Sequence, residues 1–192
     1  MNFIEQLNKL DTSFFLYLNG KHNAFFDFIM YWASNKFIWI PLYVLIIFLL
    51  VKKLKANEAV LIFLMVIMLI VSSDQLSATL LKNFFHRLRP CHNEEIKNLI
   101  HLVGDCGGQF GFVSSHAANC FALFTFLIII FHKQIPHLKY VFFLWPVLVS
   151  YSRIYLGVHY PGDVFCGAVL GIILGYLFSK IYFYFQGKLA NK

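Results

Sequence analysis

Apolar residues in this chain come in long blocks that end at charged or histidine residues. Residues 37–51 are apolar throughout, with Tyr31 and Trp32 extending the block backward and Lys52, Lys53 and Lys55 closing it. Residues 59–81 form a second block, polar only around 72–75 and at Ser77 and Thr79. A third covers 117–131 and stops at His132 and Lys133. The fourth runs over 140–156 with Pro146 as an expected kink, and the fifth over 164–185. A membrane span needs about 20 apolar residues, so the pattern predicts an all-α polytopic transmembrane bundle of five or six spans. Phe3, Leu7 and Leu10, then Phe14, Phe15 and Leu18, have helical spacing with polar residues between them. Residues 1–35 are therefore expected to be interfacial N-terminal helices, broken at Asn19-Gly20. Residues 36–192 are expected to form the transmembrane domain.

Composition agrees with the blocks. The chain has 192 residues, of which 59% are hydrophobic and only 13% charged, about half the charged share of an ordinary soluble domain. A net charge of +7 would raise nucleic acid as a partner in a soluble protein, but no basic pattern interleaved with aromatics and glycine appears. No nucleic acid is expected, and an anionic lipid head group is the better partner. The start, MNFIEQLNKLD, lacks the basic-then-apolar order of a cleavable signal.

Charge also orients the bundle. Lys52, Lys53 and Lys55, then Lys133 and Lys139, then Lys188 and Lys192 fall on one side, which the positive-inside rule makes cytoplasmic. The opposite side receives residues 82–112 and 152–163. Cys91 and Cys106 share the first of these loops and would pair in an oxidising compartment. No metal site and no cofactor is expected.

The outer side carries the chemistry. Cations and histidines are costly near lipid unless something needs them, yet three clusters collect there: KNFFHRLRP (82–90), VSSH (113–116) and SRIYLGVHYPGD (152–163). Lys82, Arg89 and Arg153 offer fixed positive charge, the arginines as bidentate forks. Ser114 and Ser115 add donors where a helix begins, a favourable place for an anion. Asp163 follows His159 by four residues, so both face one way if the helix begins near Pro161. A carboxylate on one imidazole nitrogen fixes the tautomer and sharpens the other as a nucleophile. His116 is left as the acid. Beyond Asp163, glycines at 167, 171 and 175 continue the four-residue interval and permit close helix approach. Asp74, inside the second block, is expected in a buried polar network between helices.

The three clusters resemble the signature motifs of the type 2 phosphatidic acid phosphatase superfamily. K-x6-R-P is matched by Lys82, Arg89 and Pro90, and S-R-x5-H-x3-D by Ser152, Arg153, His159 and Asp163. P-S-G-H is matched at Ser114 and His116, with Val113 and Ser115 replacing the proline and glycine. The resemblance spans about residues 56 to 185. It implies a metal-independent phosphatase in which His159 attacks phosphorus, Asp163 orients it, and His116 protonates the leaving oxygen. Lys82, Arg89, Ser114 and Arg153 would hold the phosphate, and Ser115 can still donate its N–H. Short members of the family are bacterial enzymes of the inner membrane acting at the periplasmic face. Undecaprenyl diphosphate is the first expected substrate. Lipid A, phosphatidylglycerol phosphate and phosphatidic acid are the alternatives. A transporter using Asp74 and the basic residues as an ion path is the reading from another class. It leaves the clustering of cations and histidines on one face unexplained.

Overall fold

The structure, a computed structural model, describes residues 2–51, 54–132 and 138–190. Lys52, Lys53, Lys133 and Lys192, assigned above to the cytoplasmic side, lie outside the described residues. Seven helices make up the described fold. They are α1 (Phe3–Asn19), α2 (Ala24–Ser34), α3 (Ile40–Val51), α4 (Ala56–Phe85), α5 (Ser115–Phe131), α6 (Leu138–Tyr155) and α7 (Pro161–Ala190).

Each boundary has a local cause. Asn2 caps α1 through the Glu5 N–H while the Glu5 carboxylate reaches back to the Asn2 N–H, a reciprocal pair that satisfies two orphan donors. The helix ends at Asn19 with Gly20 following, at the expected break. Asn23 caps α2, accepting from the Phe26 N–H at 3.0 Å. A 3-10 turn over Lys36–Trp39 precedes α3, so the first apolar block becomes regular α-helix only from Ile40. Pro161 opens α7, where its missing N–H costs nothing.

By length and apolarity, α4 and α7 can each cross a membrane alone, and α5 is a shorter apolar helix. Their outward faces are large and apolar: Val60, Phe63, Ile67, Met68 and Val71 on α4, and Phe165, Ile172, Ile173, Tyr176 and Leu177 on α7. Faces of that size are stable against lipid rather than water. The inward faces meet in a core of Ile62, Met65 and Leu69 from α4, Phe126, Ile130 and Phe131 from α5, and Leu174 and Tyr182 from α7.

The closest pairing is α5 on α7, and the glycines explain it. A methyl built at Gly167 would lie 2.5 Å from the Ser114 carbonyl oxygen, and one at Gly175 2.5 Å from that of Ala122. One at Gly171 would strike the Ala118 carbonyl oxygen. Two backbones thus touch along three turns, which fixes the register of α5 against α7.

Two features depart from the simple span picture. Residues Gln75–Leu81 of α4 form a π-helical stretch, which turns the final residues, Lys82 included, to a direction a plain α-helix would not give them. Asp74, just before it, accepts from Asn119 Nδ2 of α5 at 3.4 Å. It does link two helices, but its side chain is exposed rather than buried as expected.

Candidate active site

Four helix ends meet on one side of the bundle: the C-terminal ends of α4 and α6 and the N-terminal ends of α5 and α7. The up-and-down order of α4 to α7 requires this. The segments carrying Lys82, Arg89, Ser114, Ser115, His116, Arg153, His159 and Asp163 are thereby brought together. The charges of Lys82, Arg89, Arg153 and His159 all act on His116, and those of Arg89, Arg153 and Asp163 on Lys82.

The third cluster is built on a tight turn. After α6 ends at Tyr155, Gly157 adopts φ +80°, a conformation that side chains rarely accept. The N–H groups of Val158 and His159 then return to the Arg153 carbonyl, each at 3.2 Å. His159 is 1% exposed and Asp163 wholly buried, one turn apart at the start of α7. His159 Nδ1 approaches Asp163 Oδ2 at 3.4 Å, long for a hydrogen bond and without good alignment. Burial pulls the His159 imidazole down to about 4, against the opposing pull of Asp163. The ring is therefore neutral at neutral pH, the state a nucleophile needs. Asp163 is itself held: Oδ2 accepts the Tyr160 N–H at 3.0 Å, and Oδ1 accepts from Arg87 Nη1 at 2.7 Å.

The second cluster joins the third through backbone. The Ser114 N–H donates to the Asp163 carbonyl at 2.9 Å, a contact that the glycine-lined α5–α7 packing permits. The hydroxyls of Ser114 and Ser115 are buried and have no partner among the described residues, and the same is true of Arg153 Nε. Arg153 Nη1 donates to Ser34 Oγ of α2.

Arg89 is buried and gripped by its own loop. The loop folds back through a bridge between Leu88 and Phe110 and through the Cys91–Cys106 disulfide. Arg89 Nη1 donates to the Cys106 carbonyl at 2.6 Å and Nε to the Phe110 carbonyl at 3.2 Å. Gly111 passes close by, where an added methyl would sit 2.9 Å from Asp163 Oδ2.

Two buried hydroxyls and one guanidinium N–H without partners among the described residues, ringed by three cations and two imidazoles, suit a tetrahedral anion with several oxygens. A neutral buried imidazole beside them can attack such a group. Cys91, His92 and Cys106 also cluster, but the two sulfurs are used by the disulfide.

Sequence reasoning groups Arg87 with the cations of the site but gives it no role, and it misses several other residues altogether. Arg87, two residues before Arg89, binds Asp163 on one side and Asp11 of α1 on the other, both at 2.7 Å. Asn19 is buried and donates to the carbonyls of Tyr155 at 2.8 Å and His101 at 2.9 Å. Ser34 meets Arg153. The available signal was that KNFFHRLRP holds a third cation besides the two matched to a motif. Nothing in the N-terminal helices marks Asp11, Asn19 or Ser34.

Comparison with known proteins places these features. The PAP2 superfamily profile matches residues 58–186. The chain is 40% identical over 180 residues to a lipid A 4'-phosphatase of Bacteroides thetaiotaomicron, covering 93% of this chain and 79% of that protein. To a lipid A 4'-phosphatase of Porphyromonas gingivalis it is 34% identical over 188 residues, covering 96% and 78%. In fold it resembles a crystal structure of a transmembrane PAP2 type phosphatidylglycerolphosphate phosphatase from Bacillus subtilis. That match has a TM-score of 0.71 and 22% identity, over 92% of this chain and 86% of the other.

Proposed function

From the premise that the chain belongs to the PAP2 superfamily, we propose that it is a membrane phosphatase that removes a phosphate from lipid A. The observation that carries the substrate is the reach of the similarity. Both lipid A 4'-phosphatases align over more than nine-tenths of the chain, so the likeness takes in α1 and α2 beyond the family motifs. Undecaprenyl diphosphate, the first expectation from the sequence, gives way to lipid A on this ground.

The chemistry follows from the side chains. Lys82, Arg89 and Arg153 neutralise the phosphate, and the Ser114 hydroxyl and the Ser115 N–H donate to its oxygens. Charge spread over three equatorial oxygens is what such a clamp stabilises. His159 Nε2 attacks phosphorus as the bond to the sugar oxygen breaks. Asp163 holds Nδ1–H and balances the positive charge that forms on the ring. His116 gives a proton to the departing sugar oxygen. Water then attacks the phosphohistidine, with His116 taking its proton, and phosphate leaves.

The site faces the periplasm in this reading. The Cys91–Cys106 bond beside Arg89 suits an oxidising compartment, and Lys55 and Lys188 lie toward the opposite ends of the helices.

The test is phosphate release by detergent-purified protein in EDTA from lipid A, undecaprenyl diphosphate and phosphatidylglycerol phosphate, beside His159→Ala. Lipid A is expected to be turned over best, with loss of one phosphate by mass spectrometry and no turnover by the variant. A stronger rate on undecaprenyl diphosphate would overturn the substrate assignment.

A further inference from the structure

We propose that Arg87 and Asp11 are positioning residues, a charge bridge from α1 that fixes the Asp163 carboxylate against His159. This rests on the reading of His159 and Asp163 as the nucleophile pair. The Arg87 guanidinium donates through Nη1 to Asp163 Oδ1 and through Nη2 to Asp11 Oδ2, both at 2.7 Å. Its Cζ lies 4.2 Å from the centre of the Tyr160 ring. The N–H of that same residue holds Asp163 Oδ2, and Phe15 of α1 packs edge-on against the ring at 5.4 Å. Asp11 is anchored in turn: its Oδ1 accepts the Gly162 N–H at 2.8 Å at the start of α7.

Geometry separates Arg87 from the phosphate cations. Both of its terminal nitrogens are taken by carboxylates, whereas Arg153 Nε has no partner among the described residues. Arg87 reaches Oδ1 of Asp163, and His159 faces Oδ2. The fork therefore settles the carboxylate plane from the side away from the imidazole. Asp163 is completely buried, and a carboxylate there without a countercharge is strongly destabilising. Only a planar two-pronged cation can serve both acids at once, a task an ammonium does less well.

The bridge also sets how readily the His159–Asp163 pair takes a proton. The charged and titratable groups around that pair are Asp11 from α1, Lys82 from α4, Arg87 and Arg89 from the loop, and His116 from α5. Arg153 from α6, Tyr160 just before α7 and Cys166 in its first turns complete the set among the described residues. Removing the Arg87 charge makes the pair bind a proton more readily, whichever of the two holds it. Protonation blocks attack, so the acid limb of the rate moves to higher pH.

The experiment compares wild type, Arg87→Gln, Arg87→Lys and the charge-neutral pair Asp11→Asn/Arg87→Gln in detergent, on whichever lipid the wild type hydrolyses. It measures kcat and KM against pH, inhibition by inorganic phosphate, and melting temperature. The expected result is a fall in kcat of about a hundredfold for Arg87→Gln, with its acid limb raised by about one pH unit. Arg87→Lys is expected to fall between the two, and the double variant to lose kcat with phosphate inhibition unchanged. Phosphate inhibition weakened tenfold in the double variant, with the limb fixed, would make Arg87 a phosphate ligand and overturn the bridge. A fall in kcat that only tracks melting temperature, with the limb fixed, would reduce it to a structural ion pair and overturn it equally. Normal kinetics in every variant would sink the bridge and leave the phosphatase reading intact. A wild type that hydrolyses no lipid phosphate would overturn both.

Discussion

Gly167→Ala tests whether the glycine-lined contact between α5 and α7 sets catalytic geometry or only stability. The added methyl would lie 2.5 Å from the Ser114 carbonyl oxygen and 3.3 Å from both the Ser114 nitrogen and the Ala117 side chain. Ordinary contact begins at 3.4 Å, so the first of these is short by about 0.9 Å. The obstacle is backbone and cannot rotate away, so the helix ends must part by nearly that distance. Ser114, Ser115 and His116 stand on one side of the parting and His159 and Asp163 on the other. Overpacking of this kind costs about 1–3 kcal/mol of stability, and a misplacement of ~1 Å at a reacting centre costs about a hundredfold in rate. Gly175→Ala meets a carbonyl at the same 2.5 Å two turns farther from the site, and Gly187→Ala meets nothing within 4 Å among the described residues. Phosphate release and melting temperature of the three purified variants decide the matter. Gly167→Ala is expected to lose about a hundredfold in kcat, Gly175→Ala to lose stability with a much smaller change in kcat, and Gly187→Ala to behave as wild type. Equal losses of kcat at 167 and 175, or a normal kcat at 167, would refute the argument.

Three further outcomes follow from the same geometry. Because burial holds His159 at about 4 and only the neutral ring attacks, the acid limb of kcat/KM should lie near pH 4; an acid limb at the ordinary histidine value of 6.5 would contradict it. Replacing Cys91 and Cys106 with serine opens a loop of sequence separation 15 and should destabilise the fold by up to ~3 kcal/mol, while weakening phosphate inhibition because the Cys106 carbonyl positions Arg89. Unchanged inhibition would detach the loop from the site. Ser115→Gly restores the family residue and should keep activity; inactivation would give the serine hydroxyl a role of its own.

Much of the site was legible because its chemistry is carried by short, contiguous patterns. His159 and Asp163 share a helical interval, and Pro161 opens the helix where that interval requires. Lys82, Arg89, His116 and Arg153 stand at the ends of apolar blocks, so alternating spans bring them to one side. The break at Asn19-Gly20 and the glycine interval were readable for the same reason: each depends only on neighbours within a turn or two. The π-helical stretch over Gln75–Leu81 was not, since Ser77 and Thr79 fit an ordinary helix equally well. Asp74 was expected to be buried because acids inside apolar blocks usually are, yet the structure leaves it exposed where the stretch begins.

Sequence alone determined that this is an all-α membrane bundle with cations and histidines clustered on one face, because hydrophobic periodicity and motif spacing are local properties. Tertiary structure decided what braces that cluster. Arg87 meets Asp11 and Asp163 across a separation of 76 residues each way, and Asp11 meets Gly162 across 151. Ser34 reaches Arg153 across 119 and Asn19 reaches Tyr155 across 136. Residue pattern shows which face of a helix seeks burial, but it carries no information on which distant polar group will stand opposite. That choice is made only when α1 and α2 dock on the ends of α6 and α7, where each buried polar atom must find a partner or lose the energy of one.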